Sequence, residues 1–200
     1  PGLFAGGEAV AGYHGANRLG GNALSEILVS GARAGEYAAA YAMGETGEEK
    51  KEEELNRRRQ SVQEKISGWQ KRASGLRPVE GKKRVQEIMW ETAGVVREAR
   101  KIQKGLESLG ALREEAEEGL RVSPLRRFNR ELLDAFELEH MFRVSSLILT
   151  AALTRKESRG AHYRVDFPYP DDERWLVNIV LRRTGDEIHQ RLEKVELTRL

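Results

Sequence analysis

Three long stretches of the chain repeat apolar residues at the spacing of an α-helix, and this pattern constrains the fold more than any other feature. The first stretch, residues 47–72, places Leu55, Val62, Ile66 and Trp69 on one face and charges elsewhere. The second follows a break at Arg77-Pro78, and the third spans residues 129–154. Their apolar positions are Val85, Ile88, Met89, Thr92, Val96 and Ala99, then Leu132, Phe136, His140, Val144, Leu147 and Ala151. The pattern predicts a mainly α protein built on an up-down, spectrin-repeat-like three-helix bundle, with His140 in its core or at an interface and not a metal ligand.

The composition excludes several classes of protein. The chain has 200 residues, of which 33% are charged, and its formal net charge of +2 is too near balance to indicate a nucleic-acid partner. It has no cysteine, which excludes disulfides, thiolate metal sites and a thiol nucleophile. The longest apolar run, residues 144–153, is too short to cross a bilayer. We therefore expect a cytoplasmic protein with no direct membrane insertion, and any association with a membrane is expected to come through other subunits.

The first residues predict the end of another structural unit. Residues 3–5 predict a short buried strand, residues 6–8 predict a turn, and Asn22 is a good N-cap for a helix that continues to about Met43. A lone strand cannot pair its own edges, so we expect its neighbours in a longer parent chain or in a partner. The chain is thus predicted to be a fragment or a processed or split polypeptide.

A glycine-rich loop, HGANRLGGN at residues 14–22, precedes that helix. Gly15, Gly20 and Gly21 allow a ligand to approach the backbone closely, and a helix N-terminus favours negative charge. The guanidinium of Arg18 suits a carboxylate or a phosphate. The loop therefore predicts an anionic or nucleotide-like ligand, and a tight turn without a ligand is the alternative.

The C-terminal region predicts a β-hairpin. Trp175, Val177, Ile179 and Leu181 alternate with polar residues, residues 184–187 predict a turn, and the pattern returns through Ile188 and Leu192. Before the hairpin, residues 158–164 are dense in polar groups, for which we favour structural docking over a direct chemical role. Asp171-Asp172 is interpreted as a polar loop, and no metal site is predicted.

Three segments carry a far more specific pattern than spacing alone. They are GLFAGGEAVAGYHGANRLGGNALSEILVSGARAGE, RPVEGKKRVQEIMWETAGVVREARKIQKGLESL and KESRGAHYRVDFPYPDDERWL. In this order they resemble the closing segment of the FAD domain, the helical domain and the C-terminal signature of the succinate dehydrogenase/fumarate reductase flavoprotein family. The resemblance implies the end of an FAD-binding domain at residues 1–44, with its last strand, loop and helix. It also implies a helical bundle at 45–156 and a tail with a β-hairpin at 157–200.

The resemblance also implies an activity and a set of site residues. The implied reaction is hydride exchange between FAD and a C4 dicarboxylate, succinate or fumarate. Arg18 matches the arginine that clamps a substrate carboxylate, and His14 belongs to the same loop. Glu8 matches the acidic residue that binds the FAD ribose. The cofactor positions at the start of the helix are Asn22, Ala23 and Leu24, of which the last two match residues whose backbone holds the pyrimidine edge of the flavin.

Other implied parts lie outside these residues. The family's proton-donating arginine, its nucleotide-binding fold and its capping domain are absent from this sequence, so the isolated chain is expected to be inactive. The implied partners are the N-terminal FAD and capping portion of the same flavoprotein and an iron–sulfur subunit.

Other interpretations stay open at the level of sequence. L-aspartate oxidase shares the HGANR core, although residues 18–22 and 158–162 favour the succinate/fumarate side. A non-catalytic helical scaffold that docks onto an iron–sulfur or flavoprotein partner is the alternative from another class. A general anion-binding module is a third, weaker possibility.

Overall fold

The computed structural model describes residues 2–10, 12–17, 20–44, 52–125, 127–184 and 187–196. The chain divides into two compact units, residues 1–61 and 62–200. Most of the described residues are helical, as the periodicity predicts. Arg18 and the turn residues 185–186 of the hairpin lie outside the described residues.

The first unit contains a short 3₁₀ turn, Gly7–Ala9, and the helix α1, Asn22–Gly44, which confirms the predicted helix start and end. It also contains the beginning of α2, Glu52–Lys71. The prediction of a buried strand at residues 3–5 is wrong for this chain, because these residues form no strand and the side chain of Leu3 is 92% exposed. A strand needs a hydrogen-bonded neighbour, and the described residues of this unit supply none.

The second unit is built on three helices that pack against one another: α3, Pro78–Ala93; α4, Ala99–Gly119; and α5, Arg130–Thr154. Arg84 in the first half of α3 pairs with Glu115 in the last turns of α4 at 2.8 Å, and the five-residue connection joins the end of α3 to the start of α4, so these two helices are antiparallel. Lys82 of α3 pairs with Asp134 near the start of α5 at 2.7 Å, so α5 returns parallel to α3. The resulting up-down-up arrangement confirms a three-helix bundle. Its members differ from the prediction, because α4 takes the place that the pattern assigns to the helix at residues 47–72.

Close packing defines the centre of the bundle. Trp69 of α2 joins it, with its ring edge-to-face against Phe136 at a centroid distance of 5.3 Å. The buried apolar residues are Trp69, Leu76, Val85, Ile102, Leu109, Leu112, Ala116, Leu120, Val122, Ala135, Leu138, Phe142, Leu149 and Ala152. They come from four helices and the turns between them, so the bundle has a core of its own.

The second predicted helix is wrong in extent, because it ends at Ala93. A Cβ on Gly94 would lie 2.6 Å from the carbonyl oxygen of Trp90, which only glycine avoids. The next residues, Val95 and Val96, are β-branched and favour extended backbone. Val96–Arg97 forms the short strand β1, which pairs in parallel with β2, Tyr163–Arg164. The middle helix of the bundle, α4, therefore begins at Ala99, where the periodicity predicts that the second helix continues.

The face that α5 buries also differs from the prediction. The buried positions are Ala135, Leu138, Phe142, Ser145, Leu149 and Ala152, whereas His140 and Val144 are exposed. Apolar residues occur on nearly every side of α5, so the periodicity alone cannot choose one face. The interpretation of His140 as a core residue is therefore wrong.

The C-terminal β-hairpin is confirmed. A one-turn helix, α6 (Asp172–Trp175), precedes β3, Val177–Thr184, which pairs antiparallel with β4, Glu187–Lys194. Thr184 lies opposite Glu187, and these are the first and last residues of the predicted turn. Asp171 caps α6 by accepting a hydrogen bond from the backbone N–H of Arg174 at 3.1 Å.

Two glycines of α4 should respond oppositely to substitution by alanine. A Cβ on Gly105 would lie 2.6 Å from Oγ1 and 2.9 Å from Cβ of Thr92, a buried side chain that cannot move aside. A Cβ on Gly110 meets no atom within 4 Å. We expect Gly105→Ala to lower the free energy of unfolding by about 1–3 kcal/mol through overpacking. Gly110→Ala should raise it by about 0.5–1 kcal/mol through helix propensity. Urea denaturation of the two variants checks this, and equal effects would contradict the packing.

Candidate functional site

The N-terminal loop packs against α1 at two glycines. The backbone N–H of Gly7 donates to Oγ of Ser30 on α1, at 2.7 Å in a buried position. A Cβ on Gly6 would lie 2.8 Å from the carbonyl oxygen of Ser30, so only glycine fits between the loop and the helix. Glu8 follows directly and is exposed. Nothing in the sequence pattern singles out Ser30, because its contact with the two glycines depends on how the loop folds.

His14 and Glu26 are the polar side chains that come together at this loop. Nε2 of His14 lies 3.9 Å from Oε2 of Glu26, which projects from the first turns of α1. The other carboxylate oxygen, Oε1 of Glu26, is buried and has no hydrogen-bond partner among the described residues. A buried carboxylate oxygen needs a donor, so this atom marks a position where a donor from outside the described residues would be stabilised. From the sequence alone, Glu26 is only a negative charge near a helix N-terminus.

The remaining predicted residues lie at the start of α1. Asn22 is exposed, Ala23 is half-buried, and the side chain of Leu24 is 69% exposed. Gly21, immediately before them, has φ +88°, which favours glycine, and a Cβ there would meet no atom within 4 Å. The backbone N–H of Leu24 donates to the carbonyl oxygen of Gly21 at 3.2 Å, and the first N–H groups of any α-helix have no partner within the helix ladder.

The face of α1 that carries this loop borders an open cleft. The cleft is about 690 Å³ in volume and is lined by the loop and by α1 side chains that include Glu26, Ser30 and Arg33. Large apolar residues of the unit are exposed; they include Leu24, Leu28, Val29, Tyr37 and Met43. An apolar surface of this extent is typical of an interaction face.

The C-terminal region holds a second polar cluster, the arginine–carboxylate cluster, which consists of Arg155, Glu157, Arg159, Arg164 and Asp166. Glu157 is its centre, since its carboxylate is completely buried. It accepts hydrogen bonds from Arg155 at 2.5 Å and from Arg159 at 2.8 Å. Burial alone would raise the pKa of Glu157, but the hydrogen bonds from Arg159, the backbone of residue 171 and Arg155 outweigh it, and the net pKa is lowered.

Arg164 is the second buried charge of the cluster. Its side chain is 1% exposed, and its Nη1 donates to carbonyls at the end of α5, among them that of Ala152 at 2.9 Å. Its Nη2 donates to Oδ2 of Asp166 at 2.6 Å. This hydrogen bond lowers the pKa of Asp166 to about 2, so the carboxylate stays charged near neutral pH. A cation at a helix C-terminus is favoured by the helix dipole.

His162 connects the cluster to the loop between α3 and α4. Arg97 donates to Nδ1 of His162 at 2.8 Å, which fixes the proton of the neutral ring on Nε2. Burial, and then the charge of Arg97, lower the pKa of His162. Arg97 in turn donates to the carbonyls of Ala93 and Gly94 at the end of α3. The predicted structural role of residues 158–164 is what these contacts provide.

The described residues contain neither a metal-binding cluster nor a membrane-spanning helix. Nowhere in the described ranges do three or more histidine or acidic side chains gather as a metal ion would require. Of the helices in the described part of the chain, none has both the length and the apolar character needed to span a membrane.

The class of protein follows from comparison with known sequences. Residues 82–200 match the family described as "Fumarate reductase flavoprotein C-term". A subunit of the fumarate reductase (CoM/CoB) of Methanothermobacter marburgensis is 40% identical over 184 residues, which are 90% of this chain and 32% of that protein. The fumarate reductase flavoprotein subunit of Helicobacter pylori (strain J99) is 36% identical over 183 residues, 88% of this chain and 24% of that protein.

Solved structures agree with these relatives. The FrdA chain of Escherichia coli quinol fumarate reductase superposes with a TM-score of 0.87 at 31% identity, over 99% of this chain and 34% of that chain. Sdh1 of Mycobacterium smegmatis gives a TM-score of 0.87 at 32% identity, over 98% of this chain and 33% of that chain. The chain thus belongs to the succinate dehydrogenase/fumarate reductase flavoprotein family. It spans about a third or less of the length of the fumarate reductase proteins from Methanothermobacter and Helicobacter.

Removing the charge of Glu157 should unfold the C-terminal region more easily. In Glu157→Gln, the half-buried Arg155 would lose its carboxylate partner and Arg159 would keep only the exposed Asp172. Breaking a buried ion pair costs about 3 kcal/mol. The control is Glu173→Gln on α6, an exposed position, where we expect a change below about 0.5 kcal/mol. Guanidinium denaturation at neutral pH measures both, and a Glu157→Gln effect as small as the control's would refute the role of this carboxylate.

His162 should give the fold a specific pH dependence. Because the folded pKa of His162 is lowered, only the unfolded chain takes up its proton as the pH falls below about 6.5. The free energy of unfolding should therefore decrease between about pH 6.5 and the folded pKa, with no contribution above about pH 7. His162→Gln should flatten that part of the profile, whereas His189→Gln, at an exposed hairpin position, should leave it unchanged. Thermal unfolding between about pH 5 and 8 measures this pH dependence of the free energy of unfolding. If the pH dependence is the same in His162→Gln, the histidine is excluded as its origin.

Proposed function

We propose that this chain, as the C-terminal part of a larger flavoprotein, takes part in hydride exchange between FAD and a C4 dicarboxylate. The observation that carries the proposal is the family match, together with the loop that meets the N-terminus of α1. Residues 1–44 would end the FAD domain, residues 45–156 would form the helical domain, and residues 157–200 would form the tail.

The described residues fit FAD. Glu8 is exposed on the 3₁₀ turn, where it can accept hydrogen bonds from the hydroxyls of a ribose. The backbone N–H groups at Asn22, Ala23 and Leu24 form the N-terminal turn of α1, and their dipole favours an electron-rich ring edge. FAD would supply the hydride-exchanging ring when it is bound.

Substrate binding falls to the loop. Arg18 would hold one carboxylate of the dicarboxylate by two parallel hydrogen bonds and fix its orientation, without transferring a proton. Its charge would also stabilise negative charge that develops on the substrate. His14, 3.9 Å from Glu26, would be held toward the same substrate by that carboxylate, so Glu26 is a positioning residue in this proposal.

The partners follow from the exposed surface and from the family. The apolar residues of α1, among them Leu28 and Tyr37, would be covered by the N-terminal FAD and capping portion of the flavoprotein. We further propose that the electron-transfer partner is an iron–sulfur subunit. The location proposed for the assembly is cytoplasmic, with membrane attachment through other subunits.

Arg18→Ala and Arg18→Lys test the substrate site in the full-length flavoprotein. Since lysine cannot hold a carboxylate in a bidentate manner, we expect kcat/KM for succinate or fumarate to fall at least about 100-fold in both variants. The flavin absorbance near 450 nm should stay unchanged, because Arg18 does not hold the cofactor in this proposal. Steady-state kinetics with quantified flavin content provide the measurement.

The matched control is Arg58→Gln on α2, whose exposed guanidinium pairs with Glu54 four residues earlier. Arg58→Gln should change kcat/KM by less than about twofold relative to the unsubstituted flavoprotein. Loss of assembly instead of activity in Arg18→Ala would favour a docking role for the loop. Succinate oxidation by the isolated 200-residue chain would contradict the proposal that it holds only part of the active site.

A further inference from the structure

The second unit contains a cavity of about 450 Å³ between the C-terminal half of α2, the end of α4 and the middle of α5. Its apolar wall includes Trp69, Leu138 and Phe142, which belong to the core. A volume of this size is in the range of small-molecule sites. None of the residues proposed above for FAD or the dicarboxylate lines this cavity.

The charged rim of the cavity is unbalanced. Four cationic side chains, Lys65, Arg72, Arg113 and Arg143, lie around it with two carboxylates, Glu117 and Glu139. Lys65 pairs with Glu139 at 2.7 Å, and Arg113 pairs with Glu117 at 2.7 Å. Both carboxylates are therefore already paired. Within the described part of the chain, the other two guanidinium groups of the rim have no carboxylate partner.

Those two guanidinium groups differ in their surroundings. Arg72 donates to the carbonyls of Leu120 at 2.8 Å and Glu117 at 3.2 Å, at the C-terminal end of α4, so its orientation is fixed while its charge is not neutralised. Arg143, on α5, has no hydrogen bond or ion pair with any of the described residues. An anionic group at the rim would find two guanidinium groups beside an apolar wall.

Gly68 explains how the space stays open. It lies within α2, where glycine is unfavourable by about 1 kcal/mol relative to alanine. A Cβ at Gly68 would meet no atom within 4 Å, so close packing does not require glycine there. Gly68 lines the cavity, so we expect a larger side chain at this position to reduce its volume.

We propose that this cavity binds a small amphipathic anion, an aromatic or aliphatic carboxylate. The apolar body lies against Trp69 and Phe142, and the carboxylate is bound by Arg143 and Arg72. The apolar wall selects the body of the ligand, and the uncompensated guanidinium groups select its charge.

Isothermal titration calorimetry of the 200-residue chain with 2-naphthoate tests the site, and 2-naphthalenemethanol serves as the uncharged analogue. We expect 2-naphthoate to bind with a dissociation constant below about 1 mM, at least tenfold more tightly than the alcohol. Arg143→Gln should weaken the binding of 2-naphthoate about tenfold. Arg130→Gln, an exposed arginine on the same helix that does not line the cavity, should leave it unchanged.

Gly68→Leu should abolish binding by filling the cavity. Gly110→Leu on α4 is its matched control, because that position is equally open and lies away from the cavity. Both replacements improve helix propensity, so neither is expected to unfold the protein. No binding of 2-naphthoate at about 10 mM, equal binding of the alcohol, or unchanged binding in Gly68→Leu would each overturn the proposal.

Discussion

The fully buried carboxylate of Glu157 is the interaction on which the C-terminal half of the structure depends. It lies three residues after the end of α5, where the chain leaves the bundle, and it is held by Arg155, Arg159 and the backbone N–H of Asp171. Arg155 also donates to the carbonyls of Trp175 and Val177, at the entry to the hairpin. One carboxylate therefore joins the end of the bundle, the one-turn helix α6 and the first strand of the hairpin. An apolar contact would not fix their orientation in the same way, because hydrogen bonds are directional.

The bundle itself depends on packing more than on charge. Most of its ion pairs between helices are partly exposed, as Arg84–Glu115 is, and such pairs contribute little. The close approach at Gly81 and Gly105 lets Leu138, Thr92 and Leu149 lie directly against the neighbouring backbone. Charge governs the tail and packing governs the bundle, because none of the described apolar residues of the tail is fully buried, whereas Glu157 and Arg164 are.

The sequence predicted the helical class, α1, the break at Pro78 and the hairpin, since each has a local signal: an N-cap, a proline or a strict alternation. It could not predict the boundary between α3 and α4, because helical spacing continues past Gly94 and the strand pairing of β1 with β2 is a long-range interaction. It assigned the wrong face of α5, since apolar residues surround that helix. The strand at residues 3–5 depends on a neighbour that the described residues do not include.

The candidate site was predictable only in part. The resemblance named Arg18, Glu8 and the start of α1, but the proximity of His14 to Glu26 depends on how the loop folds back onto the helix. The cavity beside Trp69 had no local signal except Gly68, because it arises where three helices meet.

The parallel pairing of β1 with β2 has a consequence for the order of folding. Arg97 and His162 are 65 residues apart in sequence, so their contact closes a long loop, whereas α3 and α4 are joined by only five residues. The entropic cost of closing the loop is therefore smaller for the packing of α3 against α4 than for the contact between Arg97 and His162. During synthesis, α3 and α4 can pack as soon as both have emerged, but the cap that Arg97 provides on α3 stays without its histidine until the tail has been made. The region around residue 97 therefore reaches its final structure only after the chain as far as Arg164 has been made.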